Sequence, residues 1–128
     1  MKLLLDTHIA LRAVTDDDRL GAAARGLLLA EDAAAFVSTA SLWEIAIKHA
    51  LTRSNLPVSA GEAAQVFRES GFEILPITAA HVVAVESLPA IHNDPFDRLL
   101  VAQALAEPLR LVTHDRTVAR YNDTVILV

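Results

Sequence analysis

The chain has 128 residues, of which 53% are hydrophobic, 21% are charged and none is cysteine. This composition suits a packed core and excludes a disulfide framework and a thiolate metal site. No apolar run approaches the ~20 residues of a transmembrane helix, so with no cysteine a cytoplasmic protein fits best. The net charge of -5 argues against a generally basic nucleic-acid-binding surface.

Apolar runs of strand length alternate with longer segments of helical composition. In chain order we predict a strand over 2–5, helices over 7–14 and 19–30, a strand over 35–37, a helix starting within 38–41, a helix over 60–69, a strand over 72–75, helices over 78–87 and 94–106, a strand over 109–113, a helix over 115–120 and a strand over 125–128. Asn55-Leu56-Pro57 is expected to end the third helix. No repeat or linker interrupts the pattern, so we predict one domain over 1–128.

This alternation predicts βαβ units and a mainly parallel central sheet with helices on both faces, a three-layer α/β/α sandwich. Right-handed crossovers place the ends of consecutive strands on one edge of the sheet. In open sheets of this class, that edge is where ligands bind.

Four acids fall just past a predicted strand or in the first turn of a predicted helix, namely Asp6, Glu44, Asp97 and Asp115. Carboxylates that meet at one edge repel one another unless a cation lies between them. Because the candidate ligands are all oxygens, a hard cation such as Mg²⁺ or Mn²⁺ is favoured over zinc or copper. The pattern therefore predicts a divalent-metal site and, through it, an enzyme that cleaves phosphodiester bonds.

Each acid also has a purely structural interpretation. Asp6 and Asp115 suit the N-caps of short helices. Ser41 and Glu44 have the spacing of a capping box, and Glu44 precedes Lys48 by four residues, a favourable helix pair. Taken singly, each acid is more simply structural, but the convergence of four favours a shared site.

The start of the helix over 94–106 has the same ambiguity. Asp94 precedes Pro95, which is the preferred order for an N-cap and the first helical residue. Asp97 then lies at the third helical position, where an acid also meets the positive end of the helix dipole. The five histidines show no metalloprotease spacing, although His92 and His114 lie beside the acids and suit supporting roles.

Four motifs resemble those of the PIN-domain family, and within it the VapC-type toxins of bacterial toxin–antitoxin pairs. They are Leu4-Leu5-Asp6-Thr7-His8, Ser41-Leu42-Trp43-Glu44-Ile45, His92-Asn93-Asp94-Pro95-Phe96-Asp97-Arg98-Leu99-Leu100 and Thr113-His114-Asp115. The resemblance covers nearly the whole chain, and the third motif is the most specific. It implies a Mg²⁺- or Mn²⁺-dependent endoribonuclease, a type II toxin that a cognate antitoxin holds silent and that is usually dimeric.

The resemblance also implies that the acids matching Asp6, Glu44, Asp97 and Asp115 form the metal site. We assign Asp6 and Asp97 as the main ligands and Asp115 as the residue that completes the cluster. Glu44 would ligate directly, ligate through water, or orient the attacking water. Supporting or substrate-binding roles are assigned to Thr7, Asp94, Arg98 and Thr113.

Two other classes of function stay open at this stage. A receiver-type phosphoacceptor also has an acidic Mg²⁺ pocket, but it needs an acidic pair after the first strand and a lysine after a late one, which this chain lacks. A non-catalytic protein-interaction domain would use its acids only as helix caps. Metal binding discriminates this last class from a nuclease.

Overall fold

The computed structural model describes residues 1–51, 56 and 58–128. The strands are β1 Lys2–Leu5, β2 Ala34–Ser38, β3 Glu73–Leu75, β4 Arg110–Thr113 and β5 Ile126–Leu127. The helices are α1 Thr7–Val14, α2 Gly21–Leu29, α3 Thr39–Leu51, α4 Ala60–Glu69, α5 Ala79–Ala84, α6 Pro95–Ala106 and α7 Arg116–Ala119. None of these helices has the length and apolar composition needed to cross a membrane. Asn55 and Pro57, at the predicted end of the third helix, lie outside the described residues.

The five strands form one parallel sheet in the order β3-β2-β1-β4-β5. β1 is central, and its Leu5 is in register with Val37 of β2 and Val112 of β4. The chain builds outward from β1 through β2 and β3, and on the other side through β4 and β5. The strand order therefore reverses at β1, and the crevice expected at such a reversal lies where β1 and β4 end.

Alternate residues of β1 face opposite sides of the sheet. Leu3 and Leu5 belong to one core cluster, which includes Phe67 of α4. Leu4 belongs to a second cluster, which includes Leu100 of α6. Helices thus cover both faces, and the predicted α/β/α sandwich is confirmed.

Helices α2 and α5 are shorter than predicted by three residues or more. Asp17 caps a 3₁₀ turn over Asp18–Leu20, and Gly21 adopts a φ of 78°, so α2 begins later than its alanine-rich sequence predicts. Helix α5 ends at Ala84 and continues as a 3₁₀ turn over Val85–Ser87. Neither difference changes the layer to which the segment belongs.

Candidate functional site

The four predicted acids line one cavity of about 460 Å³ at the edge of the sheet where β1 and β4 end. Asp6 directly follows β1, and Asp115 lies between β4 and α7. Glu44 comes from α3, and Asp97 comes from the first turn of α6. The other residues that line the cavity are Thr7, His8, Lys48, His92, Asp94, His114 and Arg116.

Asp6 is nearly buried, with 6% of its surface exposed, and both of its carboxylate oxygens are held. It is the N-cap of α1, where its Oδ1 accepts a hydrogen bond from the backbone N of Ile9 at 2.8 Å. Its Oδ2 accepts a hydrogen bond from Thr113 Oγ1 at 2.6 Å. Because each carboxylate oxygen has a second lone pair, this fixed group can still accept a cation.

Glu44 is buried to a similar degree, with 5% of its surface exposed. Lys48 Nζ donates to its Oε2 at 2.6 Å, and Thr7 Oγ1 donates to its Oε1 at 2.7 Å. Ser41 Oγ lies 2.8 Å from Thr7 Oγ1 and extends this buried chain of polar groups. One ion pair and one hydroxyl thus fix the orientation of the Glu44 carboxylate toward the cavity.

The capping box predicted from Ser41 and Glu44 is wrong. Helix α3 begins at Thr39, so Ser41 lies inside the helix rather than before it. Ser38 takes the capping position instead, because its Oγ accepts a hydrogen bond from the backbone N of Ala40 at 2.9 Å. Glu44 is therefore free of any capping role.

Asp94 and Asp97 have different roles at the start of α6. Asp94 is the N-cap, and its Oδ1 accepts from the backbone N of Phe96 at 2.8 Å and of Asp97 at 3.2 Å. The side chain of Asp97 is 26% exposed. Burial raises the pKa of Asp97 to about 7, opposed by His92 and helped by three carboxylates, those of Asp94, Asp6 and Glu44. The half-buried carboxyl of Asp97 is therefore partly protonated near neutral pH.

His92 lies between the carboxylates of Asp97 and Asp115. Its Nε2 is 3.1 Å from Asp115 Oδ2 and 3.4 Å from Asp97 Oδ2. These three side chains each bring a potential ligand atom within 4.8 Å of the others. Sequence spacing gave His92 only a general supporting role, because its contacts depend on how the loop before α6 folds.

Asp115 is the N-cap of α7 and differs from Asp97 in its electrostatics. Its Oδ1 accepts from the backbone N of Thr117 at 2.8 Å and of Val118 at 3.4 Å. Burial opposes ionisation, but hydrogen bonds from His92 and from these two N–H groups hold the pKa of Asp115 below its usual range. Asp115 is therefore more readily ionised than Asp97.

Arg98, assigned a supporting or substrate-binding role, lies outside the lining of the cavity. Its guanidinium donates to the carbonyls of Pro89 at 3.0 Å and Val85 at 3.2 Å. It also donates to the hydroxyl of Tyr121 at 3.0 Å. These contacts make it a brace for the loop that carries His92 rather than a group that faces phosphate.

The donor set of the cavity fits a hard divalent cation. Carboxylate oxygens from Asp6, Glu44, Asp97 and Asp115 dominate it, and thiolates are absent from the sequence. Burial is the main cause of the raised pKa of Asp97, and the nearby carboxylates of Asp94, Asp6 and Glu44 add to it, so a cation in the cavity would favour the ionised form. Asp6 and Asp97, together with Asp115, could hold such an ion, with Glu44 close enough to line the same space.

Comparison with known proteins assigns the chain to a family and to a fold. The family model of the PIN domain matches residues 3–123 of the chain. No curated protein matches the chain significantly. The family match covers every acid of the cavity.

Solved structures of similar fold come from toxin–antitoxin complexes. The structure of VapBC2 from Rickettsia felis bound to a promoter DNA fragment aligns with a TM-score of 0.71 and 20% identity, over 100% of this chain and 98% of that chain. A toxin–antitoxin complex from Klebsiella pneumoniae aligns with a TM-score of 0.65 and 18% identity, over 97% and 95% of the two chains. VapBC-1 from Haemophilus influenzae aligns with a TM-score of 0.64 and 13% identity, over 100% and 97%. At these identities the likeness concerns the fold.

Proposed function

This chain belongs to the PIN-domain family, and we propose that it is a Mg²⁺- or Mn²⁺-dependent endoribonuclease that acts as the toxin of a type II toxin–antitoxin pair. The observation that carries the proposal is the cavity that four carboxylates line and in which the pKa of Asp97 is raised to about 7. In this proposal residues 1–128 are one nuclease domain that acts on RNA in the cytoplasm.

Asp6 and Asp97 are the proposed main ligands of the metal, and Asp115 completes the set. Glu44 ligates directly, ligates through water, or orients the attacking water. When bound, Mg²⁺ or Mn²⁺ supplies an activated water and charge stabilisation at the scissile phosphate. The geometry that supports these roles is the shared cavity of the four side chains.

The surrounding residues keep the carboxylates in place and face the substrate. Thr113 and Thr7 donate hydrogen bonds to Asp6 and Glu44, so each carboxylate is oriented before any ligand arrives. Lys48 and Arg116 line the cavity, and their positive charges suit the phosphates of RNA.

The proposed partners are a cognate antitoxin and a second copy of the chain. Helix α3 exposes Trp43, Ile47 and Leu51 at four-residue spacing, so one face of the helix presents an apolar stripe to solvent. Such a stripe suits a protein partner rather than RNA. The antitoxin is further supported by the likeness to solved VapBC complexes.

A receiver-type phosphoacceptor and a non-catalytic interaction domain account for fewer features of the site. A receiver-type site needs a lysine after a late strand, whereas β4 is followed by His114, and Lys48 lies on α3 in an ion pair with Glu44. A domain whose acids only cap helices accounts for Asp6, Asp94 and Asp115. It does not account for Glu44 and Asp97, which cap no helix in the part of the chain that the structure describes.

Cleavage of total cellular RNA tests the proposal. Purified, antitoxin-free protein is incubated with Mg²⁺ or Mn²⁺, or with chelator, beside Asp97→Asn. Asp123→Asn, which removes an exposed carboxylate outside the cavity, is the matched control. We expect discrete fragments that require both metal and Asp97 and that persist in the control. Cleavage in the presence of chelator would overturn the proposal, and so would the absence of cleavage by folded, metal-bound protein.

A further inference from the structure

The ring of His92 is held at both of its nitrogens. Its Nδ1 lies 3.0 Å from the backbone N of Asp94. Its Nε2 faces the cavity, 3.1 Å from Asp115 Oδ2 and 3.4 Å from Asp97 Oδ2. The ring therefore bridges the cap of α6 and two of the proposed metal ligands.

These contacts fix the tautomer of the ring. A backbone N–H can only donate a hydrogen bond, so Nδ1 must accept from Asp94 and carries no proton. The neutral ring then has its proton on Nε2, directed at the carboxylate of Asp115, which holds its charge and can only accept. A nitrogen that carries a proton has no lone pair for a metal ion. Nε2 therefore lies near Asp97 and Asp115 as an N–H group and not as a lone pair.

We infer that His92 is a positioning residue, whose Nε2 donates to Asp115 beside Asp97 and does not ligate the metal. The inference rests on the proposed function for the presence of a metal, whereas the tautomer is a property of the protein alone. One N–H between two carboxylates offsets part of their repulsion and fixes their separation before a cation binds. Outer hydrogen-bond partners of this kind typically account for about 10–100-fold in metal affinity.

The backbone of His92 is itself braced, which keeps the ring in register with the carboxylates. Its N–H donates to the hydroxyl of Tyr121 at 2.8 Å. Arg98 donates to the same hydroxyl at 3.0 Å and to the carbonyl of Pro89 at 3.0 Å. Arg98, on the helix that carries Asp97, therefore links α6 to the loop that presents His92.

The first test is the ¹⁵N NMR spectrum of the histidine rings, without RNA, in metal-free protein and after addition of diamagnetic Mg²⁺. His92→Asn identifies the resonances of His92. We expect Nε2 to be protonated and Nδ1 to be unprotonated in both states. A proton on Nδ1 in the Mg²⁺-bound protein would overturn the inference, since it would free the Nε2 lone pair for the metal.

The second test separates the two nitrogens by substitution. The amide of His92→Gln reaches the position of Nε2 and keeps the donor, whereas the amide of His92→Asn reaches only the position of Nδ1. By calorimetric titration with Mn²⁺, we expect His92→Asn to bind about 10–100-fold more weakly than wild type and His92→Gln to recover most of that loss. The control is His49→Asn, because His49 bonds Leu56 and does not line the cavity.

Equal weakening in the two His92 variants, or none in His92→Asn, would contradict a donor role. Neither test contains RNA. A protein that binds Mn²⁺ in the expected order but cleaves no RNA would therefore overturn the proposed function and support the inference. A wild-type protein that binds no Mn²⁺ would overturn both.

Discussion

The hydroxyl of Thr113 donates a hydrogen bond to Asp6, with 2.6 Å between Thr113 Oγ1 and Asp6 Oδ2, across 107 residues of sequence. The same oxygen accepts from the backbone N of Asp115 at 3.1 Å. Thr113 is fully buried at the end of β4, beside β1. A single hydroxyl therefore connects two of the proposed metal ligands and limits how far apart they can move.

Thr113→Val removes this hydroxyl with little change of shape. It leaves the buried Asp6 carboxylate without one partner, so we expect the free energy of unfolding to fall by about 1–3 kcal/mol. Urea unfolding measures the change. Thr124→Val, which removes an exposed hydroxyl bonded to Asn122, is the control and should cost less. Equal stability of Thr113→Val and wild type would show that the bond contributes nothing.

Asp97→Asn removes one carboxylate and keeps the size of the side chain. We expect RNA cleavage to fall by more than the roughly 10–100-fold that loss of an outer hydrogen-bond partner causes. Metal-free protein should become more stable at pH 8, since one source of repulsion is gone. Cleavage assays and thermal unfolding give the two results, and an active variant of unchanged stability would remove Asp97 from both roles.

The stability of the metal-free protein should depend on pH through Asp97. Its pKa is raised from 3.8 to about 7 in the folded chain, so between these values the folded state binds a proton that the unfolded state releases. The contribution of Asp97 to the free energy of unfolding is therefore present at acidic pH and is lost as pH rises toward 7. The loss is on the order of a few kcal/mol. Urea unfolding at pH 5 and pH 8 should show a steeper loss for wild type than for Asp97→Asn. Equal losses of stability in wild type and Asp97→Asn would contradict a raised pKa of Asp97.

Lys48→Met keeps the apolar stem of the side chain and removes its charge. The buried Glu44 carboxylate loses its ion-pair partner at 2.6 Å, and because Lys48 is half exposed we expect a loss of about 1–2 kcal/mol in metal-free protein. Affinity for Mn²⁺ should rise, since a cation no longer competes at the cavity. Thermal unfolding with and without Mn²⁺ measures both effects. Weaker Mn²⁺ binding would mean that Lys48 mainly positions Glu44.

The sheet and the meeting of the acids were predictable from sequence because both follow from local patterns. Apolar runs such as residues 2–5 predict buried parallel strands, and Asp6 and Asp115 lie within two residues of the ends of two of them. Parallel connections then bring those positions to one edge. Asp94-Pro95 likewise fixed the start of α6 through cap chemistry that depends on neighbouring residues alone.

The finer properties of the cavity depend on contacts that local patterns do not contain. Ser41 and Glu44 have capping-box spacing, but an earlier cap at Ser38 shifts the helix start. The raised pKa of Asp97 needs the depth of its burial and the positions of carboxylates from other elements. The role of His92 needs the path of a loop and the direction of one backbone N–H.

The most direct test of a metal centre at this cavity is calorimetric titration of Mn²⁺ into metal-free protein at pH 7, beside Asp6→Asn and Asp97→Asn. Wild type should bind saturably and release protons, because Asp97 must ionise to ligate. Each variant should bind at least about 100-fold more weakly, beyond the usual effect of an outer partner. Absence of binding by the wild type, or unchanged affinity in both variants, would contradict the account.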